Sequence, residues 1–579
     1  MTRRGRLTIT LTVLVALVSG GFLLVNSTGD DGDKKASPGA TTFLTPSPGS
    51  HEDHGPIPKQ AYLRDACGLP SDWVQRIYRG WKPGGARAWD LVIVPHPPNY
   101  MGTFINTSHS APYDFVQEVP FAFYGPGFIK EMGRFSVDRD VTIADLAPTY
   151  AQLMHFDEWP ERPSESIPEL LKPTDATPKL IVTAVIDGGG WNDLEQWPDR
   201  WPNIKQLMED GANVDGTIVG SSPSITPATH TNLSTGTFPR YHGVTAIVVR
   251  DDDGSIVGAY SEDAGNPGAA VMDPTVSLRK TTLADLWDQA NDNEAKIGML
   301  AAGNLQLGMV GYGSALEGGD KDIVAIRTGE QWATNPAYYS LPELVNTDVE
   351  GPDQDIEAVD RLDGEADGKW RGHEIAPLDA TPAFAPWENR AMEAILDAED
   401  FGDDGVTDLF YINYKAPDKA GHHWNMVNPE QGDTIESVDD AIGQLRSWLD
   451  DNVGPDEYVL VVTADHGQTP LEAGGWPLSR SEISNDISAR FNHDGGLSLI
   501  EQTSASSFFM RKDRMIANDV TPEEISSYMS RYTIADNIPD GGPVPNGFED
   551  RTDERIFDAV FPGRELDRVA KCTGVIGQG

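Results

Sequence analysis

Three aspartates in this 579-residue chain stand at or just beyond the ends of apolar runs, and two of them have a histidine close by. Asp187 closes LIVTAVI (180–186) and leads into Gly188, Gly189 and Gly190; Asp465 closes the run that begins YVLVVT (458–463) and is followed by His466 and Gly467. Asp418 follows DLFYINY (408–414) and precedes His422 by four residues. Carboxylate and imidazole together suit Zn²⁺, and two such groups suit a two-metal centre. Between them lies GSSPSITPATHTNLSTG (220–236), a hydroxyl-rich turn entering a helix. A threonine oxygen beside Zn²⁺ loses its proton more easily and becomes a nucleophile, and a helix N-terminus favours an anion nearby; Thr226 is placed for both. Each piece alone has a plainer explanation as a helix cap or turn residue. Their conjunction, in a chain with only 12 histidines, points to a metal centre.

The elements that must position these residues read as an α/β fold. The three runs are apolar on both faces, as buried parallel strands are. Between the last two, Ile435, Val438, Ile442, Leu445 and Leu449 recur at helical spacing, which makes a strand–helix–strand unit and a sheet covered on both sides. Further strands are expected at 296–300, 323–326 and 90–94, with helices near 283–289 and 388–399. In open α/β sheets ligands bind beyond the carboxyl ends of the strands, where these aspartates stand.

Composition bounds the remainder. With 90 acidic residues against 44 Lys and Arg the formal charge is −46, which argues against a nucleic-acid face built on counterion release. Two cysteines exclude a disulfide-dense scaffold and a Cys-rich zinc site. Arg3, Arg4 and Arg6 precede an uncharged apolar run at 7–25. Residues 1–26 therefore read as a membrane anchor with the catalytic part outside the cytoplasm, or as a cleaved signal peptide on a secreted protein. Residues 27–60, rich in Gly, Pro, Ser, Thr and charge, read as a disordered linker, and residues 61–579 as one catalytic domain.

Asp187, Thr226 followed by STGTFPRYHGV (234–244), Asp418-x-x-Gly-His422 and Thr-Ala-Asp465-His466-Gly occur in the order of the alkaline phosphatase superfamily. The chain most resembles its type I phosphodiesterase/nucleotide pyrophosphatase branch. The resemblance implies a three-layer αβα sandwich with a mostly parallel central sheet and an inserted cap. It also implies two Zn²⁺, one held by Asp187, Asp465 and His466 with Thr226 touching it, the other by Asp418, His422 and one further histidine. In the family that histidine follows the Asp-His-Gly motif. Here His493 stands downstream in unlike surroundings, whereas TSHSAPYDFVQEVPFAFYGPG (107–127) and VTIADLAPT (141–149) resemble the family's C-terminal portion. A circular permutation follows, with residues 61–155 completing the fold from the N-terminal side, 155–179 as the new joint, and His109 as the last ligand. Cys67 and Cys572 would then clasp the old junction as a disulfide.

Monoesterases of this superfamily add a Lys or Arg to meet the extra phosphate charge. The matching stretch, AAGNLQ (301–306), has none, which favours a phosphodiester or pyrophosphate, such as a nucleotide. Residues 328–387 read as a cap insertion over the site. The expected function is hydrolysis through a phospho-threonine. A phosphoryl transferase of the cell envelope, a phosphomonoesterase and a non-catalytic metal-stabilised surface protein are the alternatives.

Overall fold

The computed structural model describes residues 60–102, 107–266, 268, 271–470, 474–504, 506–539 and 542–577. The apolar run at 7–25 and the linker up to residue 59 lie outside them. Among the described residues no helix is long and apolar enough to cross a membrane.

A nine-stranded sheet carries the molecule's centre. From one edge its order is Gln331–Ala333, Ile323–Thr328, Ile297–Ala301, Asp408–Tyr414, Leu180–Ile186, Tyr458–Ala464, Phe121–Tyr124, Ala212–Val214 and Gly133–Phe135. The five strands from Ile323–Thr328 to Tyr458–Ala464 are parallel. The three apolar runs are thus adjacent central strands, fully buried as their composition requires. Along each, alternate side chains enter opposite layers. Ile181, Val185, Tyr411 and Val461 pack with Leu146, Tyr150, Leu233 and Leu283 on one face. Val182, Ile186, Ile412 and Leu460 pack with Ile204, Ile395, Ile442 and Leu445 on the other. Helices Leu146–Leu153, Thr226–Thr235 and Leu283–Ala290 cover the first face, and Pro202–Asp210, Phe384–Ala398 and Pro429–Asn452 the second. The architecture is the expected αβα sandwich.

One strand expected at 90–94 forms at Leu91–Pro95 but belongs elsewhere. It lies between Ser507–Met510 and Phe557–Pro562 in a separate four-stranded antiparallel sheet, whose other edge is Ile500–Ser504. Leu91 and Ile93 face one core, Val92 and Val94 another. An apolar run shows that a strand will form and says nothing about which sheet accepts it.

The segment before Asp187 does enter the main sheet. Phe121–Tyr124 pairs antiparallel with Tyr458–Ala464, with Tyr124 opposite Leu460 and Phe121 opposite Thr463. Cys67 and Cys572 are disulfide-bonded, their Cα atoms 5.6 Å apart. The stretch 328–387 contributes the edge strand Gln331–Ala333 and then leaves the sheet. Its short hairpin clasps the start of Pro429–Asn452: Trp370 Nε1 donates to Asp433 Oδ2 at 2.9 Å, and Arg371 donates to both Asp433 oxygens at 2.6 and 3.0 Å. Trp370 also meets Trp424, at the end of the helix that carries Asp418 and His422, edge-on at 5.1 Å.

Candidate metal centre and nucleophile

Sheet register assembles the first part of the site. Tyr414 pairs with Ile186 and Ile186 with Ala464 in neighbouring parallel strands. The residues that follow, Lys415, Asp187 and Asp465, are therefore the next rung of one ladder, held about 5 Å apart by strand spacing. Asp187 N donates to Tyr414 O at 3.0 Å, and the chain turns away at Gly188, whose φ of 75° suits glycine. Gly188 N donates to Asp465 Oδ1 at 3.1 Å, tying one turn to the other. Asn413 Nδ2 donates to Asp187 Oδ2 at 3.0 Å.

Helix Ala416–Trp424 begins directly after Lys415, with Pro417 in its first turn. Asp418 and His422 lie four residues apart on one face, with His422 Nε2 3.2 Å from Asp418 Oδ1. His109 brings its Nε2 to 3.4 Å from the same oxygen. His493 is exposed in the turn after helix Arg480–Phe491 and belongs to none of the groups of converging ligand atoms found among the described residues. Thr226 opens helix Thr226–Thr235, which follows the extended Ile225 and ends at Gly236 in the left-handed conformation. The helix is buried throughout, and Thr226 is nearly covered.

The histidine tautomers follow from their partners. His109 Nδ1 lies 2.6 Å from Ser224 O, His422 Nδ1 2.8 Å from Thr107 O, and His466 Nδ1 3.1 Å from Gly467 O. A carbonyl can only accept, so each Nδ1 carries the proton and each Nε2 presents a lone pair. Those lone pairs face carboxylates: His109 and His422 face Asp418, and His466 faces Asp465 at 3.2 Å and Asp187 at 3.7 Å. Asp418 Oδ1 and His466 Nε2 are buried without a hydrogen-bond partner. Acceptors turned towards one another in a buried site call for cations among them, and the residues fit divalent metal ions in that respect. His109, Asp418 and His422 form one group of converging ligand atoms; Asp187 and His466 form another, which shares Asp418. His230 also lies near Asp187 and Asp465. Both its nitrogens are taken, however, with Nδ1 donating to Thr226 O at 2.8 Å and Nε2 accepting from Asn413 at 2.9 Å. It holds the start of helix Thr226–Thr235.

Electrostatics agree. Burial pulls His466 down to about 4 and His109 well below the ordinary imidazole value, so both imidazoles are neutral at neutral pH. Burial, then the Asp187 charge, pushes Asp465 up to about 7. For Asp418 burial opposes ionisation, but His422 and Lys415 beside it hold the carboxyl well below its usual range.

Lys415 was not singled out from the sequence. Its Nζ lies 2.9 Å from Asp187 Oδ1 and 2.7 Å from Asp418 Oδ2, and it donates to Thr226 Oγ1 at 3.2 Å. Burial alone would lower its pKa; Asp187, Asp418 and Asp465 outweigh that and keep the ammonium charged. The available signal was the strand it terminates: once three central strands are aligned, the residue after each is a site residue. The stretch 301–306 ends where expected, with the neutral Gln306 Nε2 3.0 Å from Asn413 Oδ1 and 3.5 Å from Asp187 Oδ2.

The sequence model of the type I phosphodiesterase / nucleotide pyrophosphatase family matches residues 181–527, more than half of the chain. The chain is 24% identical over 351 residues to alkaline phosphatase PhoV of Synechococcus elongatus, covering 52% of this chain and 61% of that protein. It is 21% identical over 333 residues to alkaline phosphatase PafA of Elizabethkingia meningoseptica, covering 50% and 60% respectively. The chain thus spans about three fifths of the length of these relatives. The crystal structure of wild-type PafA superposes on 68% of this chain and 85% of its own at a TM-score of 0.50 and 14% identity, a likeness of fold. On the strength of the family match, the chain belongs to the type I phosphodiesterase / nucleotide pyrophosphatase family of the alkaline phosphatase superfamily.

Proposed function

We propose that this phosphoryl hydrolase cleaves phosphodiester or pyrophosphate bonds outside the cytoplasm, through a covalent phospho-threonine at Thr226. The observation that carries the reading is the convergence of Thr226 with two sets of carboxylate and imidazole ligands at the ends of three adjacent strands. Asp187, Asp465 and His466 would hold one divalent cation, taken as zinc, and Asp418, His422 and His109 the other. When bound, the cations supply Lewis-acid stabilisation of the attacking and leaving oxygens.

The chain's own residues do the rest. Thr226 Oγ gives its proton to solvent and attacks phosphorus in line; the Oγ–P bond forms as the ester O–P bond breaks, and the departing oxygen takes a proton from water. The N-terminus of helix Thr226–Thr235 turns the positive end of its dipole towards the phosphoryl group. Water then attacks phosphorus from the vacated side, releasing the phosphoryl product and restoring Thr226. Asn413 orients Asp187, and His230 fixes the Thr226 carbonyl. The hairpin at Trp370, resting against the end of the Asp418 helix, supports a cap role for 328–387. The arginines before the apolar run at 7–25 and the Cys67–Cys572 bond support an extracytoplasmic site.

One observation favours a second reading, a phosphomonoesterase. The diester preference rested on the lack of a cation in 301–306, yet Lys415 brings one to the Thr226 oxygen from a different strand end. Hydrolysis of bis-p-nitrophenyl phosphate against p-nitrophenyl phosphate, with and without a chelator, separates the two. Chelator-sensitive preference for the diester supports the first reading, preference for the monoester replaces it with the second, and no turnover of either removes both.

A further inference from the structure

Lys415 holds one ligand from each of the two triads. Its ammonium is 2.9 Å from Asp187 Oδ1, assigned above to one cation, and 2.7 Å from Asp418 Oδ2, assigned to the other. The side chain is 8% exposed, and its third contact is the Thr226 oxygen. Three of its neighbours are therefore residues to which a divalent cation would bind, and the second oxygen of one of them, Asp418 Oδ1, is buried without a hydrogen-bond partner. An ammonium in hydrogen-bond contact with a carboxylate and a divalent cation on that same carboxylate repel each other strongly in a buried setting.

We propose that the Lys415 ammonium competes with divalent cations for Asp187 and Asp418, and that metal loading is an exchange in which those cations displace it from the two carboxylates. The proposal rests on the metal assignment made under the proposed function and adds to it a residue that sets metal affinity. Because one ammonium spans both triads, the first cation to enter either of them frees a ligand of the other. The two sites are linked through Lys415. Displaced from the carboxylates, the ammonium remains within reach of the Thr226 oxygen as a hydrogen-bond donor; no proton is transferred to or from it.

The direction of the effect separates this role from a structural one. A lysine that merely held the site together would, on removal, loosen it and weaken metal binding. A competing cation would, on removal, tighten it. Zinc affinity of the full chain is measured by competition with a chelator of known strength, for the wild type, Lys415→Met and Lys415→Gln. The second neutral variant serves if the first does not fold. The expected result is that the neutral variant binds its first zinc about tenfold or more tightly than the wild type, while its metal-free form unfolds at a lower temperature than the metal-free wild type. Unchanged or weaker zinc binding in a folded neutral variant would overturn the proposal. The outcome is distinguishable from failure of the hydrolytic reading: tighter zinc binding in the variant, with no ester hydrolysed by the wild type, removes the hydrolysis and leaves the exchange standing.

Discussion

Asp465 and the two buried imidazoles set how the site answers to pH. The proposed zinc site needs Asp465 ionised, and burial together with Asp187 has raised its pKa to about 7. Below that value a proton competes with the metal; above it none does, because burial already keeps His466 and His109 neutral. Apparent zinc affinity should therefore fall about tenfold per pH unit below 7 and level off above it. Chelator-competition titrations at pH 6 and pH 7.5 check this, and equal affinities would contradict it. Asp187, Asp465 and His466 were legible in the sequence because each stands directly after a run apolar on both faces, which announces a central strand and its end. Lys415 was not, although it follows such a run, because a lysine before Pro-Asp reads as an ordinary polar turn residue. Its place among three acids appears only once the strands are aligned. His109 was legible through resemblance alone; nothing in its spacing to Asp418 indicates a contact across more than three hundred residues.

At the scale of elements, the turns after Leu180–Ile186 and Tyr458–Ala464 touch backbone to backbone. A Cβ at Gly190 would stand 2.5 Å from Gly467 Cα and 2.7 Å from its nitrogen. Neither flank can yield without moving Asp187 or the Asp465–His466 pair. Gly190→Ala should cost about 1–3 kcal/mol of stability and lower the zinc content of a folded protein, with the secondary structure preserved by circular dichroism. Full zinc content in that variant would show that the contact does not position the ligands. The parallel strands and the long helix between them were readable from periodicity, since both are buried on faces whose spacing the sequence displays. The three short strands at the other edge, Phe121–Tyr124, Ala212–Val214 and Gly133–Phe135, are too brief to show a period, and their pairing depends on neighbours remote in the chain.

At the scale of the whole molecule, an early and a late segment of the described residues meet in the second sheet. Leu91–Pro95 pairs with Phe557–Pro562, and the Cys67–Cys572 bond closes the same region. This supports reading residues 61–155 as the family's C-terminal portion placed first, with the disulfide across the old junction. Removing the bond by Cys67→Ser with Cys572→Ser should lower stability by about 2–5 kcal/mol, read as a lower melting temperature, while turnover at low temperature stays near wild type because the bond lies outside the catalytic groups. A large loss of turnover at unchanged stability would tie the junction to the site instead. The second sheet was not foreseen as separate, because apolar runs do not declare their partners. The proposed hydrolysis turns on Thr226 carrying the phosphoryl group. Acid-quenching the zinc-loaded protein during turnover and mapping its peptides by mass spectrometry tests that most directly. A phosphoryl adduct on Thr226 that is lost with chelator and in Thr226→Ala is expected; turnover undiminished in Thr226→Ala, or an adduct on another residue, would overturn the assignment of Thr226.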